Sequence, residues 1–326
     1  INGENYPIYA VEENFGKRLI ENNNRREGPI FNLFTKDEKN MDVYQGLSFY
    51  EEKVYESTKE GRLLLRRAKR LMTGFLSGEL SASEVFDINL MAKAIAISDL
   101  LGHEHSVDIF NMRYYLNPIT GLIEPIPFDQ STIYKLVTEK SDINYIKKIG
   151  INRYGLLGEK FKQIGNIKNS TNSELIEYRI QQKKRYNDPI IKLFSDKNFS
   201  FAYGNALEEI SQKEWLDNFF NAISKDAKKL QLILFQSYPY YKFEEKNILY
   251  ENQTYMRTQL ISKTPLSAYI TDHNKTDSSL NIRVFNTHSL PVEIISITNS
   301  NGVNILERGD SIFLPNRSKK CFGDNY

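Results

Sequence analysis

The sequence predicts an α+β chain: a mainly α-helical first part holding one β-hairpin, then a small β-sandwich-like unit. Three observations carry that expectation. Behind the capping box Ser81-x-x-Glu84, the apolar residues Val85, Ile88, Ala92, Ile95 and Ala96 recur at helical spacing, so one helix should run from near Ala82 to near Gly102. Strand-like runs at 112–116 and 122–128 then flank the turn Asn117-Pro118-Ile119-Thr120-Gly121. Past about residue 238 the composition shifts to short apolar runs, at 280–285, 292–297 and 311–314, between Asn, Ser, Gly and Pro turns. The helical part should occupy 1–240, and a linker with the β-rich domain 241–326.

Composition narrows the function classes. With 326 residues, 40% hydrophobic and 26% charged, the chain can bury more than one core. Its 43 Lys and Arg nearly balance 41 Asp and Glu, so net charge gives no reason to expect nucleic acid or an anionic membrane as partner. A single cysteine, Cys321, rules out an internal disulfide framework and a Cys-based zinc site. No apolar run is long enough for a membrane span. Because the sequence begins at Ile1, a mature product or a fragment is expected.

In chain order, Asn2-Gly3 is a tight turn, 6–11 is strand-like, and 14–22 is a short helix. Residues 25–45 read as a polar loop. Its paired Arg25 and Arg26 suit bidentate phosphate binding, and the alternative is a solvated turn with Glu27 as local partner. A long helix follows over 51–75, burying Leu63, Leu64, Leu65, Ala68, Leu71 and Met72 and leaving Arg62, Arg66, Arg67, Lys69 and Arg70 as a solvated face. Beyond the hairpin, 133–137 and 142–148 are short and ambiguous, while 172–186 and 212–234 read as helices. The second of these lines up Trp215, Leu216, Phe219, Phe220, Ile223 and Ala227, a stripe read as core. Residues 248–260 should pack against the helical part.

Chemistry concentrates at the hairpin. Asn111 and Asp129 place hard oxygen donors on converging elements, which suits Mg²⁺. Local roles compete: Asp129 can cap its own turn through Ser131 and Thr132, and a loop Asn bonds backbone by default. The apolar approach Ile126-Pro127-Phe128 nevertheless makes a chance charge at Asp129 an unfavourable one. His103 and His105 lie two apart without a third placed ligand, a weak zinc signal, but His105 stands beside Asn111 as a site residue. His273 and His288 should pack or face solvent. No GxSxG, Walker A, HExxH or Rossmann fingerprint occurs.

Two segments carry a family resemblance. Ile1-Asn2-Gly3-Glu4, Ile8-Tyr9 and Glu13 resemble the "iNGe..GvY...E" segment of the CotH kinase family, atypical protein kinases named after spore-coat protein H. Glu124-Pro125-Ile126-Pro127-Phe128-Asp129 is similar to that family's "IPWD" ending. The resemblance implies a protein-kinase-like fold, its large lobe here and its small lobe upstream of Ile1. It implies transfer of the ATP γ-phosphoryl group to a protein hydroxyl, with Asn111 and Asp129 holding Mg²⁺ and Asp99 or His105 positioning the acceptor. Glu13 would line the nucleotide hinge, with Arg26 as the candidate phosphate contact. The implied setting is a bacterial envelope or secreted protein. Two departures stand out: Pro7 replaces the usual Gly, and Ser106 occupies the position of the catalytic base, with Asp108 another nearby candidate. A non-catalytic kinase-like scaffold, whose β domain binds a protein partner or surface glycan, is the rival expectation.

Overall fold

Strand β1 (Ile30–Phe34) is the element on which the first half is assembled. The computed structural model describes residues 13–34, 46–102, 105–107, 111–129, 133, 135–136, 189–240, 243, 245–261, 265–274, 279–288, 290–304, 306 and 311–314. The expected strand at 6–11, the runs at 142–148 and the helix at 172–186 lie outside them. β1 pairs antiparallel with β2 (Gly46–Phe49) on one side and β3 (Arg113–Leu116) on the other, and β3 pairs with β4 (Ile123–Ile126), giving the sheet order β2-β1-β3-β4. The polar loop expected over 25–45 is therefore corrected at 30–34, which is strand, while 35–45 lie outside the described residues. Phe31 and Leu33 are 0% and 1% exposed, and Ile30 on the other face is 3% exposed, so this short strand is core and not a solvated loop.

The two faces of the sheet serve different layers. Phe31, paired with Tyr114 and stacked on it with ring centroids 5.6 Å apart, points into the main core with Leu33, Leu116 and Ile123. Ile30 and Tyr115 point the other way, onto Ile20 of the short helix α1 (Lys17–Asn22). Gly28 sits where this crossing is tightest: a Cβ there would lie 2.4 Å from the Leu116 carbonyl oxygen.

The helix expected over 51–75 is two helices, α2 (Glu52–Glu56) and α3 (Lys59–Ser77). Ser57 closes the first and Thr58 caps the second, its hydroxyl accepting from the Gly61 amide at 2.9 Å. The buried face of α3 is Leu65, Ala68, Met72 and Phe75, whereas Leu63 is 51% exposed, so its place in the stripe is also corrected. Nor is the basic face wholly solvated: Arg67 donates from Nε and Nη2 to the Gly121 carbonyl at 3.2 and 3.1 Å, tying α3 to the hairpin turn.

The helix expected from Ala82 to Gly102 is likewise interrupted, into α4 (Ala82–Val85) and α5 (Ile88–Leu101). Phe86 leaves the helical backbone to sit edge-on to Phe75, centroids 4.9 Å apart, and its neighbour Asp87 bonds through its amide to the Ile123 carbonyl at 2.9 Å. The Asp87 carboxylate then restarts the helix by accepting from the Leu90 amide. Gly102, with φ +64°, closes α5.

Among the described residues four further helices follow: α6 (Pro189–Ser195), α7 (Lys197–Ile210), α8 (Lys213–Ser237) and α9 (Glu245–Leu260). Helix α7 lies along α5 and buries Phe199, Tyr203 and Leu207. Helix α9 docks on the same pair, as expected of 248–260: Asn252 donates to the Leu100 carbonyl at 2.8 Å and Gln253 to the Ile210 carbonyl at 2.8 Å. The aromatic stripe of α8 departs from its reading as core. Leu216 is buried, but Phe219 is 43% exposed and Phe220 half-buried, because only the first turns of α8 meet α9. No described helix is long and apolar enough to cross a membrane.

Asp196 links α4 to α7. It caps α7, accepting from the amides of Asn198 and Phe199, and also accepts from the amide and hydroxyl of Ser83 at 2.8 and 2.6 Å. Burial pushes its pKa up, but these donors outweigh burial and hold it below the usual carboxylate value. Its contribution is therefore full above the unfolded pKa of about 4 and is lost as pH falls through the lower folded value. We expect Asp196→Asn, which still accepts at an N-cap, to lose less stability than wild type between pH 7 and pH 3, measured as urea midpoints at the two pH values.

The C-terminal strands form two separate two-stranded antiparallel sheets among the described residues: β5 (Leu266–Asn274) with β6 (Ser279–Asn286), and β7 (Val292–Ile294) with β8 (Ile312–Leu314). Asn286 bridges them, its amide donating to the carbonyls of Leu290 and Leu314. His288 is half-buried, with Nδ1 accepting from the Leu290 amide at 3.0 Å. Mixed helices and antiparallel sheets make the chain α+β.

Candidate functional site

The far end of the β3–β4 hairpin is stitched to the loop between α5 and β3 through one residue. The Phe128 amide donates to the Ser106 carbonyl at 3.4 Å, and the Phe128 carbonyl accepts from Asn111 Nδ2 at 3.0 Å. The residue after this double clamp is Asp129, exposed, with φ +61°. Asp and Asn enter that left-handed region more readily than other non-Gly residues, so the sequence can hold a carboxylate there. Asn111 and Asp129 are thus brought to one place, the first half-buried and the second exposed.

The clamp rests on an arginine that sequence reasoning missed. Arg113 opens β3, donates from Nε to the Tyr50 hydroxyl at 2.7 Å and from Nη1 to the Asn111 carbonyl. Its guanidinium lies over the rings of Phe128, 4.7 Å from the centroid, and Phe15, 5.4 Å. Phe15 in turn meets Phe128 edge-on at 5.1 Å and Tyr50 at 5.1 Å. One half-buried cation therefore joins the segment before α1, the end of β2, the Asn111 loop and the end of the hairpin. A signal was present: Arg113 is the one charge in the apolar run Met112-Arg-Tyr-Tyr-Leu.

The remaining expected residues take other places. Asp99 lies on α5 with 0% exposure, and its Oδ2 accepts from the Tyr203 hydroxyl at 2.6 Å, which seats it in the α5–α7 interface. Ser106 is equally buried and donates to the Ser98 hydroxyl at 3.5 Å. His105 opens a short 3₁₀ turn, His105–Val107. His103 and Asp108 lie outside the described residues. Glu13 is exposed and accepts from Asn22 Nδ2 at 2.6 Å, bridging the two ends of α1.

Arg26 is exposed, and its backbone carbonyl accepts from the Tyr115 hydroxyl. Burial, and then Glu124, push the Tyr115 hydroxyl up to about 12. Of the arginine pair it is Arg25 that finds a carboxylate: it bonds Glu124 at 3.1 Å, where Glu124 also accepts from Asn117 at 2.7 Å. Glu27 pairs with Lys17 at 3.1 Å, a partner the local reading did not name.

Among the described residues no group of three or more His, Cys, Asp or Glu is placed to hold a metal ion. What the hairpin end offers is one exposed carboxylate and one amide. No protein-family model matches the chain, and no curated protein matches it.

Proposed function

We propose that the chain carries the large lobe of a CotH-like, protein-kinase-like fold and transfers the γ-phosphoryl group of ATP to a protein hydroxyl in a bacterial envelope or secreted protein. The observation that supports this reading is the Phe128 clamp, which brings Asn111 and Asp129 together at the mouth of the hairpin. Mg²⁺ keeps several waters and takes one or two protein oxygens plus substrate phosphates, so a carboxylate with one amide oxygen is a fitting donor set. When bound there, Mg²⁺ supplies charge neutralisation on the β- and γ-phosphates.

The chain's own residues would divide the remaining work. Asp129 presents the anionic oxygens. Asn111 holds the hairpin end through its amide nitrogen, and its amide oxygen would be the neutral donor beside Asp129. Arg113 fixes both by bonding the Asn111 backbone and stacking on Phe128. Asp99, buried on Tyr203, acts as a positioning residue under the loop rather than as a group touching the acceptor. His105 is then the residue assigned to take the hydroxyl proton.

Calorimetric titration of ATP with and without Mg²⁺, on wild type and Asn111→Ala, tests the reading. We expect metal-dependent binding that Asn111→Ala abolishes; equal binding with and without metal would overturn it. Arg113→Met should weaken Mg²⁺-dependent ATP binding by about 10- to 100-fold, the usual effect of removing a residue that orients a ligand. The same titration with this variant checks that figure.

A second reading has its own observation. Ser106, at the family's base position, has no exposed surface and is hydrogen-bonded to Ser98. A scaffold that binds nucleotide without transferring phosphate fits that geometry. Metal-dependent binding without phosphate transfer to any hydroxyl acceptor would favour it.

A further inference from the structure

Helix α3 does not carry its charges as a solvated helix does. At about 100° per residue, Lys59, Arg62, Arg66, Lys69 and Arg70 fall within an arc of about 100°, turned away from the buried Leu65, Ala68, Met72 and Phe75. All five are exposed. Glu60, the only acid on α3, lies about 80° beyond the Arg70 edge of that arc, and from Gly61 to Ser77 there is no Asp or Glu. A solvated face normally mixes both signs, as α8 does, where Lys213, Lys225, Lys228 and Lys229 are interleaved with Glu214, Asp217 and Asp226. Arg62, Arg66 and Arg70 stand instead at i, i+4 and i+8, a spacing at which like charges destabilise a helix.

Neighbouring elements neutralise only the edge of this row. Lys69 pairs with Glu52 at 3.5 Å and lies over the Phe49 ring, and Arg62 donates to the Glu56 carbonyl at 2.6 Å. Among the described residues the side chains of Lys59, Arg66 and Arg70 have no ion pair or hydrogen bond, and Glu51, Glu56 and Glu60 form no ion pair with the row. We propose that the outer face of α3 docks an extended acidic segment of a partner protein, with carboxylates at alternate residues set against Arg62, Arg66 and Arg70. Spacing is the first argument: these arginines rise by about 6.0 Å from one to the next, and alternate residues of an extended peptide by about 6.6 Å. Chemistry is the second, since guanidinium groups take carboxylates bidentately and arginine clusters read acidic motifs. Leu63, 51% exposed beside the row, adds an apolar contact.

Other polyanions fit this face less well. A single-stranded nucleic acid needs aromatic rings on which its bases stack, and the exposed residues of the arc include none. A helix adsorbed on lipid inserts its apolar face, and that of α3 is turned into the core. The row is also separate from the candidate site, because Arg67 ties α3 to the hairpin at Gly121, the turn end, and Asp129 lies past the other end.

The test is fluorescence anisotropy of a labelled peptide of about ten alternating Glu and Ser residues, titrated with the 326-residue chain at about 50 mM salt. No ATP or Mg²⁺ is added, so the outcome is independent of the phosphotransfer reading. Arg66→Glu/Arg70→Glu should bind the peptide at least about 30-fold more weakly than wild type, whereas Lys228→Glu/Lys229→Glu on α8, the same change in net charge, should stay within about twofold. All four sites are exposed, so helix content by circular dichroism should not change. Wild type that fails to bind the peptide, or binds its Gln-for-Glu counterpart equally, overturns the proposal. Equal loss in the two variants does so as well, since net charge alone would then be acting. Tighter binding of duplex DNA or anionic liposomes than of the peptide, lost in Arg66→Glu/Arg70→Glu, also overturns it by assigning the row to another polyanion.

Discussion

Under the proposed function, Asp129→Asn should lower Mg²⁺-dependent phosphotransfer by on the order of 10³-fold or more while leaving the hairpin folded. Catalysis of phosphoryl transfer is positioning and charge neutralisation, so losing the single exposed carboxylate of the donor pair removes the anionic ligand and not a neutral contact. Asn keeps the shape of the side chain and tolerates the left-handed backbone at φ +61°, so the loss reports on charge alone. Two companions separate conformation from chemistry. Asp129→Gly should be more stable than Asp129→Ala by about 1 kcal/mol, since only glycine accepts that φ without a Cβ penalty, yet both should be inactive. Denaturant midpoints and single-turnover phosphotransfer read the two effects apart. Mg²⁺-dependent ATP affinity of Asp129→Asn within about threefold of wild type would remove the hairpin end from the metal site.

The largest effect on stability is expected at Phe31. Phe31→Ala should cost about 3–5 kcal/mol, the usual range for truncating a buried aromatic, because the ring has no exposed surface and lies between Phe49 and Tyr114 at 5.2 and 5.6 Å. In the polar loop that composition suggested, the same substitution would be worth within about 0.5 kcal/mol. Urea denaturation therefore tests whether β1 holds the sheet together. A change below about 1 kcal/mol would mean that Phe31 is not in the core. The consequence reaches the site, since β1 pairs with β3 up to Asn32↔Arg113, and a loosened β1 would let the Arg113 guanidinium shift off Phe128.

How much was legible varies with how local the determinant is. The capping box at Ser81–Glu84, the Gly102 stop and the hairpin around Asn117–Gly121 are set by neighbours within four residues, and the structure has them where spacing placed them. The breaks at Phe86 and Thr58 were not legible. Helical periodicity runs through both, and Phe86 leaves the helix only to fill space between Phe75 and Tyr114, side chains at other points in the chain.

At the site, the sequence by itself determined the residue types and their order: an Asn before the hairpin, an Asp after it, and an apolar approach between them. Tertiary structure decided which of them meet. Asn111 is 17 positions from Phe128, and Arg113 is 63 from Tyr50, so no local pattern could report either contact. It also decided that Asp99, whose place at the end of α5 made it a candidate base, is sealed against Tyr203, 104 positions away. Backbone propensity and capping are short-range energies that a sequence displays directly. The burial of one particular carboxylate, and the exposure of another, depend on which distant surfaces close over them.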